Sequence, residues 1–361
     1  MEKTPRQRIQ FLRTADGVQL AWAEAGAGPP LLKASNWLSH LEFEWDSPVW
    51  RHWIRFFSGH FRFVRYDERG CGMSDWDVGD FSFPRWVGDL EAVADAALPQ
   101  GAFPLLGISQ GAATAIAYAV RHPERVSRLV LYGGYALGWA LRGDSAGKRE
   151  HEAIVALAAL GWGRDNPAFR QVFTSRFVPG ATSEQMDWFN ELCRRTSSPA
   201  IAADLLRSRA EVDVKELLEK VRTPTLVIHA REDAAVPVSA GRQLAALIPG
   251  AEFVELDSKN HILLEGEPAW ERFCGAVGDF MGIERVKKNE EDAFASLTVR
   301  ERGILVLLTE GLSNADIAER VGLSEKTVRN HISSLFDKLG VWTRAQAIVF
   351  ARDRGFRADP G

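Results

Sequence analysis

Serine becomes a useful nucleophile only when a base takes its proton and a carboxylate orients that base. The chain holds such a set in a meaningful order. Gly107-Ile108-Ser109-Gln110-Gly111 is a GxSxG segment, entered by the apolar run Phe103–Ile108 and left by the alanine-rich stretch Gln110–Arg121. A strand that turns sharply into a helix, with glycines flanking the serine, lifts the hydroxyl above a sheet. An N-capping serine at an ordinary strand-to-helix turn would need no partners, but here partners follow. Asp233 in REDAAVP and His261 in SKNHILLEGEPAW complete the order serine, acid, histidine. They follow the apolar runs Thr225–Ala230 and Glu252–Leu256. Both therefore fall on loops at strand carboxyl ends, where open parallel sheets place their sites. Glu232 competes with Asp233 for the acid, and Asp233 alone would serve as well as a helix cap.

A second stretch carries donors of another kind. Ser313–Leu339 reads SNADIAERVGLSEKTVRNHISSLFDKL, which predicts two short helices and a tight turn. Ser313 and Asp316 form a capping-box pattern, Gly322 ends the first helix, and Ser324 caps the second. In the second helix Val328, Ile332, Leu335, Phe336 and Leu339 make one apolar stripe, with Lys326, Arg329, Asn330 and Ser333 on other faces. A helix packed on one side and carrying donors on the other suits a DNA major groove. A plain amphipathic pair with a solvated face has the same periodicity.

The elements that must position the serine set alternate. Arg8–Thr14 and Val18–Glu24 read as a hairpin about Asp16–Gly17; Pro30–Ala34, Phe61–Asp67 and Arg128–Tyr132 are further strand candidates. Strands alternating with helices predict an α/β fold with a mostly parallel sheet covered on both faces. Between Tyr135 and Arg222 the alternation gives way to a helical, aromatic stretch, too long for a loop. Residues 136–222 are therefore expected to form a cap over a pocket. Trp139, Trp162, Phe173 and Trp188 of that stretch, with Trp37, are its expected walls, facing a small apolar or aromatic ligand.

Composition narrows the setting. The 361 residues suffice for two domains, and the balance of charged and apolar residues is that of a globular protein. From Ser296 onward ten basic and eight acidic side chains leave about +2, against a formal charge of −4 for the whole chain. Such a mildly basic tail suits a specific DNA reader better than a nonspecific polycation. Cys71, Cys193 and Cys274 form no CxxC, so neither a metal site nor a disulfide framework is expected. No cofactor is called for. The opening MEKTPRQRIQ is charged and no run is long enough to span a bilayer. A cytoplasmic protein with no membrane partner is expected.

Two family resemblances join these readings. Leu297–Phe356 resembles the LuxR-type helix-turn-helix domain through LTVRERGILVLL, GLSNADIA, SEKTVRNHI and KLGVWTRAQA. The resemblance implies four helices, the third reading DNA and the fourth contacting a second subunit, hence a homodimer. Thr298 and Glu301 then cap the first helix, Gly311 follows its end, and Thr343 caps and Gly355 closes the fourth. It also implies that Arg329, Asn330 and Ser333 reach base edges of double-stranded DNA, while Lys326, Thr327, His331 and Lys338 hold phosphate.

Arg8–Gly282 resembles the α/β-hydrolase superfamily through the GxSxG segment, the DERGCGMSD loop at Asp67–Asp75, DAAVP and NHILLEGEPAW. The family's oxyanion hole would take the backbone N–H of Gln110 and that of Asn36 or Trp37. Ala34-Ser35 stand where a His-Gly pair is usual. The expected organisation is a hydrolase-like domain over 1–282, a charged linker over 283–295 and a DNA-binding domain over 296–361. It resembles LuxR-family regulators with a hydrolase-fold sensor. The pocket would only bind a small molecule, or Ser109 would also cleave an ester or lactone. A plain hydrolase with a tethering tail is the alternative.

Overall fold

In a computed structural model the described residues are 6–142, 145–283, 294, 297–339, 341, 343–353 and 356. Contacts divide the chain into two units, Met1–Ile283 and Glu284–Gly361.

The first unit is built on an eight-stranded sheet: β1 Arg8–Arg13, β2 Gln19–Ala25, β3 Pro30–Ala34, β4 Arg62–Tyr66, β5 Phe103–Ile108, β6 Val126–Tyr132, β7 Thr225–Ala230 and β8 Glu252–Leu256. The strand order is β1-β2-β4-β3-β5-β6-β7-β8. The hairpin β1–β2 closes through Gly17 N–H to the Thr14 carbonyl at 2.9 Å, with Arg8 opposite Glu24. β2 also pairs antiparallel with β4, and the remaining pairs are parallel. Central parallel strands are buried on both faces and so lack a polar side; every residue of β7 is buried, His229 included.

Helices α1 Arg51–His60, α2 Phe83–Ala97 and α3 Gly111–Arg121 follow β3, β4 and β5. The helices α4 Ser145–Gly161, α5 Ala168–Phe177, α6 Ser183–Thr196 and α7 Pro199–Ala210 intervene between β6 and β7. Two more, α8 Val238–Leu247 and α9 Pro268–Met281, follow β7 and β8. α1 and α9 meet through Trp53, Trp270 and Phe273 over Tyr132 of β6. α2 and α8 flank α3 through its contacts with α2 and with the 3₁₀ turn Lys215–Lys220, which also touches α8. That turn thus packs on the body of the domain, so the cap helices run from Ser145 to Ala210 and stop short of the expected limit at residue 222. Their ends are set locally: Thr182 and Gln185 form a reciprocal capping box, and the Ser198 hydroxyl accepts from Ile201 N–H.

The second unit has α10 Val299–Thr309, α11 Asn314–Val321, α12 Glu325–Leu339 and α13 Arg344–Asp353. Capping boxes Thr298/Glu301 and Ser313/Asp316 open α10 and α11, and Gly322 ends α11 at φ 65°. Val328, Ile332, Leu335 and Leu339 of α12 enter a core with Ile304, Leu308, Ile317 and Ala347, and Phe336 is partly buried against it. Thr343 and Gln346 bond reciprocally at the start of α13. The linker residues 284–293 and 295, and Gly355, lie outside the described residues.

Candidate active site and nucleic-acid interface

Ser109 stands between β5 and α3 at φ 54°, the one non-glycine residue with positive φ among the described residues. A left-handed conformation costs an L-residue energy that the surroundings must supply. Here Ser109 N–H donates to the Tyr132 carbonyl at 2.9 Å, and its own carbonyl accepts from Ala112 N–H at 3.1 Å. The flanking glycines are needed for close approach rather than for φ. A Cβ on Gly107 would lie 2.6 Å from the Ala112 Cα, and one on Gly111 would lie 2.8 Å from the Ser35 carbonyl oxygen. The second approach lays the loop after β3, which carries Asn36 and Trp37, against the first turn of α3. The amide of Gln110 opens that turn, where N–H groups lack intrahelical acceptors.

Asp233 follows β7 and is buried. Its Oδ1 accepts from Ala235 and Val236 N–H, both at 2.8 Å, so it caps its own loop as well. Its Oδ2 accepts from His261 Nδ1 at 2.6 Å. Burial pushes the Asp233 carboxyl up, but the adjacent His261 charge and hydrogen bond outweigh it and hold the group below the usual carboxylate range. Glu232 is exposed, which leaves Asp233 as the carboxylate that meets the histidine. His261 is fully buried; its loop is tied to the end of α5 by His261 N–H to the Phe177 carbonyl at 2.9 Å, and the Phe177 ring stands edge-on to the imidazole. With Nδ1 donating to the carboxylate, Nε2 is the nitrogen left over, and it is buried with no hydrogen-bond partner. Ser109 therefore does not bond to it here; such bonds commonly tighten only around substrate.

A second imidazole escaped the sequence reading. His229 Nε2 donates to the Val236 carbonyl at 2.9 Å and lies 3.6 Å from Asp233 Oδ2. Burial lowers its pKa against the pull of that carbonyl. A buried polar residue inside an otherwise apolar strand, TLVIHA, was its only signal.

Between the cap and the sheet lies a cavity of about 680 Å³, its open mouth included. Ser109, Gln110, Trp37, Trp139 and Phe173 line it. Trp162 and Trp188, expected walls, are not among its lining residues. Trp162 is fully buried and stacks behind Trp37 at 5.1 Å, and Trp188 stacks on Phe43 at 5.0 Å. Both spend their faces on the domain's own packing. The wall that sequence reasoning missed is basic: Arg142, Arg176 and Arg209, with His151. Arg209 was detectable, because Ala202, Leu205, Leu206 and Arg209 share one helical stripe and a cation on an apolar stripe wants a reason.

In the second unit Lys326, Arg329, Asn330 and Ser333 are exposed on α12, while Thr327 and His331 are half-buried. The Thr327 hydroxyl is 2.8 Å from that of Ser324, whose oxygen also accepts Thr327 N–H. Arg329 makes an exposed ion pair with Glu325 at 3.2 Å, which a DNA contact would replace at little cost. Lys338 is exposed at the end of α12 but has a partner inside the unit. Its ammonium donates to both oxygens of buried Glu301, at 2.9 and 2.7 Å, and so ties α12 to α10.

Residues 43–268 match the family described as alpha/beta hydrolase fold. The chain belongs to the α/β-hydrolase family. Residues 295–351 match the bacterial regulatory proteins of the luxR family, so the hydrolase domain precedes a LuxR-type DNA-binding domain. The chain is 27% identical to the AB hydrolase superfamily protein YisY of Bacillus subtilis over 255 residues, 70% of this chain and 91% of that protein. It is 43% identical over 86 residues to the DNA-binding transcriptional activator DevR/DosR of Mycobacterium tuberculosis, 24% of this chain and 40% of the activator. A hydrolase from Pseudomonas aeruginosa PA01 superposes with a TM-score of 0.63 at 27% identity, covering 76% of this chain and 98% of that one. No helix among the described residues is long and apolar enough to cross a membrane.

Proposed function

We propose that the chain is a ligand-responsive transcriptional regulator: a small molecule binds the capped cavity beside Ser109, and its occupancy alters DNA binding by α12 in a homodimer. The observation that carries this reading is a LuxR-type domain on a chain whose hydrolase domain holds a cavity lined by the strained Ser109. An apolar ester or lactone suits the site. His261 Nε2 takes the Ser109 hydroxyl proton as Oγ bonds the carbonyl carbon, and the oxyanion rests on the amides of Gln110 and Asn36 or Trp37. The leaving oxygen departs with that proton, and water then releases the acid by the reverse route. Phosphate contacts from Lys326, Thr327 and His331 would position α12, while Arg329, Asn330 and Ser333 read bases. Two such helices meet half-sites about 34 Å apart.

A coupling of about 1–3 kcal/mol between cavity and DNA makes a useful switch. The test is Ser109→Ala in the full chain. Ligand-dependent operator binding that persists after ester turnover disappears means the cavity acts by binding alone. Loss of both, with ligand still bound, makes the chemistry part of the switch. Ligand occupancy that changes operator affinity in neither protein refutes the reading. The alternative, a serine hydrolase whose tail is secondary, is favoured by the formed His–Asp pair. Arg329→Ala decides it, because a selected operator bound as tightly as before leaves no base reading to defend.

A further inference from the structure

Resting on the proposed receptor role of this cavity, we infer that its ligand carries a carboxylate, held by Arg209 of the cap. Arg209 lines the cavity with Ser109 and is only 6% exposed. Its Nη2 donates to Glu68 at 2.5 Å, but its Nε and Nη1 are buried with no hydrogen-bond partner. A guanidinium carries five N–H donors in a rigid plane, and leaving some of them dry is costly unless something arrives to accept them. The plane is fixed before anything arrives, since the Trp37 and Trp86 rings lie 4.9 and 5.3 Å from its carbon. The Glu68 pair fixes it further.

The neighbouring donors point the same way. Gln110 Nε2 and Trp37 Nε1, both from residues that line the cavity, are also buried without acceptors. A cavity wall with this surplus of donors matches an acceptor-rich ligand. A carboxylate supplies two oxygens to the Arg209 edge, as planar recognition favours. Because Glu68 already balances one charge, the preference is for a monoanion whose far end presents a carbonyl to Ser109. Arg142 adds positive charge among the lining residues, while Arg176 is paired with Glu150 at 2.6 Å. The lactone or ester of the preceding reading thereby becomes a half-ester or a lactone acid.

The test uses the full chain and three pairs of probes: 4-nitrophenyl monoesters of succinic, glutaric and adipic acid, each against its methyl-capped neutral counterpart. For the best-fitting length, kcat/KM for the anion should exceed that of the capped ester by roughly tenfold or more, the scale of a charge-assisted bond. In Arg209→Lys, which keeps a cation for Glu68 but removes the planar edge, that ratio should collapse toward one. Should that variant fail to fold, Glu68→Gln decides, because freeing Arg209 from its carboxylate should raise the ratio. Ratios near one at all three lengths overturn the inference. So does a ratio retained in folded Arg209→Lys, or one unchanged in Glu68→Gln. If neither ester reacts and a fluorophosphonate leaves Ser109 unlabelled, the hydrolytic part of the functional reading fails by itself. The carboxylate site is then read by calorimetry with monomethyl against dimethyl glutarate. Tighter binding of the monoanion by roughly tenfold sustains it, and equal or absent binding overturns it.

Discussion

Each unit of the chain buries a carboxylate that is paired with a base, and the two pairs are finished differently. In the second unit Glu301 accepts from Lys338, from the Ser334 hydroxyl at 2.8 Å, and from the backbone and hydroxyl of Thr298. Both its oxygens are used, and the pair joins the start of α10 to the end of α12. In the first unit Glu68 meets Arg209, yet two guanidinium nitrogens of this cavity-lining residue have no hydrogen-bond partner. A fully satisfied buried network rigidifies a core, whereas a partly satisfied one waits for a partner. The same chemistry thus builds structure in one unit and, as we propose, a receptive wall in the other. Lys338 shows how this bears on reading a sequence: a cation expected to face phosphate is also the partner of a buried carboxylate.

The largest effect expected on the receptive side is that of Asp233→Asn. It keeps the shape but reverses the hydrogen bond to His261 Nδ1, and ester turnover should fall by about 10⁴-fold in stopped-flow assays. A loss under tenfold would mean that the Asp–His pair is structural, like its counterpart around Glu301. On the structural side, Glu301→Ala should cost the second unit about 2–3 kcal/mol by removing a buried carboxylate with several charged hydrogen bonds. Hydrogen exchange of peptides spanning 297–339 would report it, with exchange in the first unit unmoved.

A smaller effect separates two lysines of one helix. Lys326→Ala should lower the slope of log affinity against log salt by about 1, whereas Lys338→Ala should leave that slope unchanged and loosen α12 instead. Equal slope changes would return Lys338 to the phosphate contacts. The gentlest probe is acid. Burial raises the Glu301 pKa, but the Lys338 bond and its neighbours bring it down from 4.5 to about 2. The unfolded chain therefore binds the proton first. The stabilisation is complete above about pH 4.5 and is lost as pH falls toward 2. Exchange of the 297–339 peptides, corrected for intrinsic rates, should accelerate over that window, and Glu301→Gln should flatten the dependence.

Much of the fold was legible because its signals are local. Apolar runs marked the strands, the Asp16–Gly17 turn marked the hairpin, and the capping residues Thr298, Ser313, Ser324 and Thr343 marked the helix starts in the second unit. The order of Ser109, Asp233 and His261 was legible for a related reason, since a parallel sheet brings successive carboxyl ends to one edge. The cap was harder. Seven aromatic residues between Tyr135 and Arg222 announce an apolar interior without saying which of them face a cavity. Trp162 and Trp188 turned to packing, and Arg209, a cation on an apolar stripe, turned to the cavity.

The sequence by itself determined the two families, the apolar runs and helix periods, and the candidate residues for acyl transfer and DNA contact. These follow from residue type and spacing along one chain, where the backbone geometry is already known. Only the tertiary structure decided which polar groups are spent and which are left over. Glu301 took Lys338 across 37 positions of sequence, and Glu68 took one edge of Arg209 across 141. Pairings of that range depend on how whole elements pack, and no local pattern encodes them.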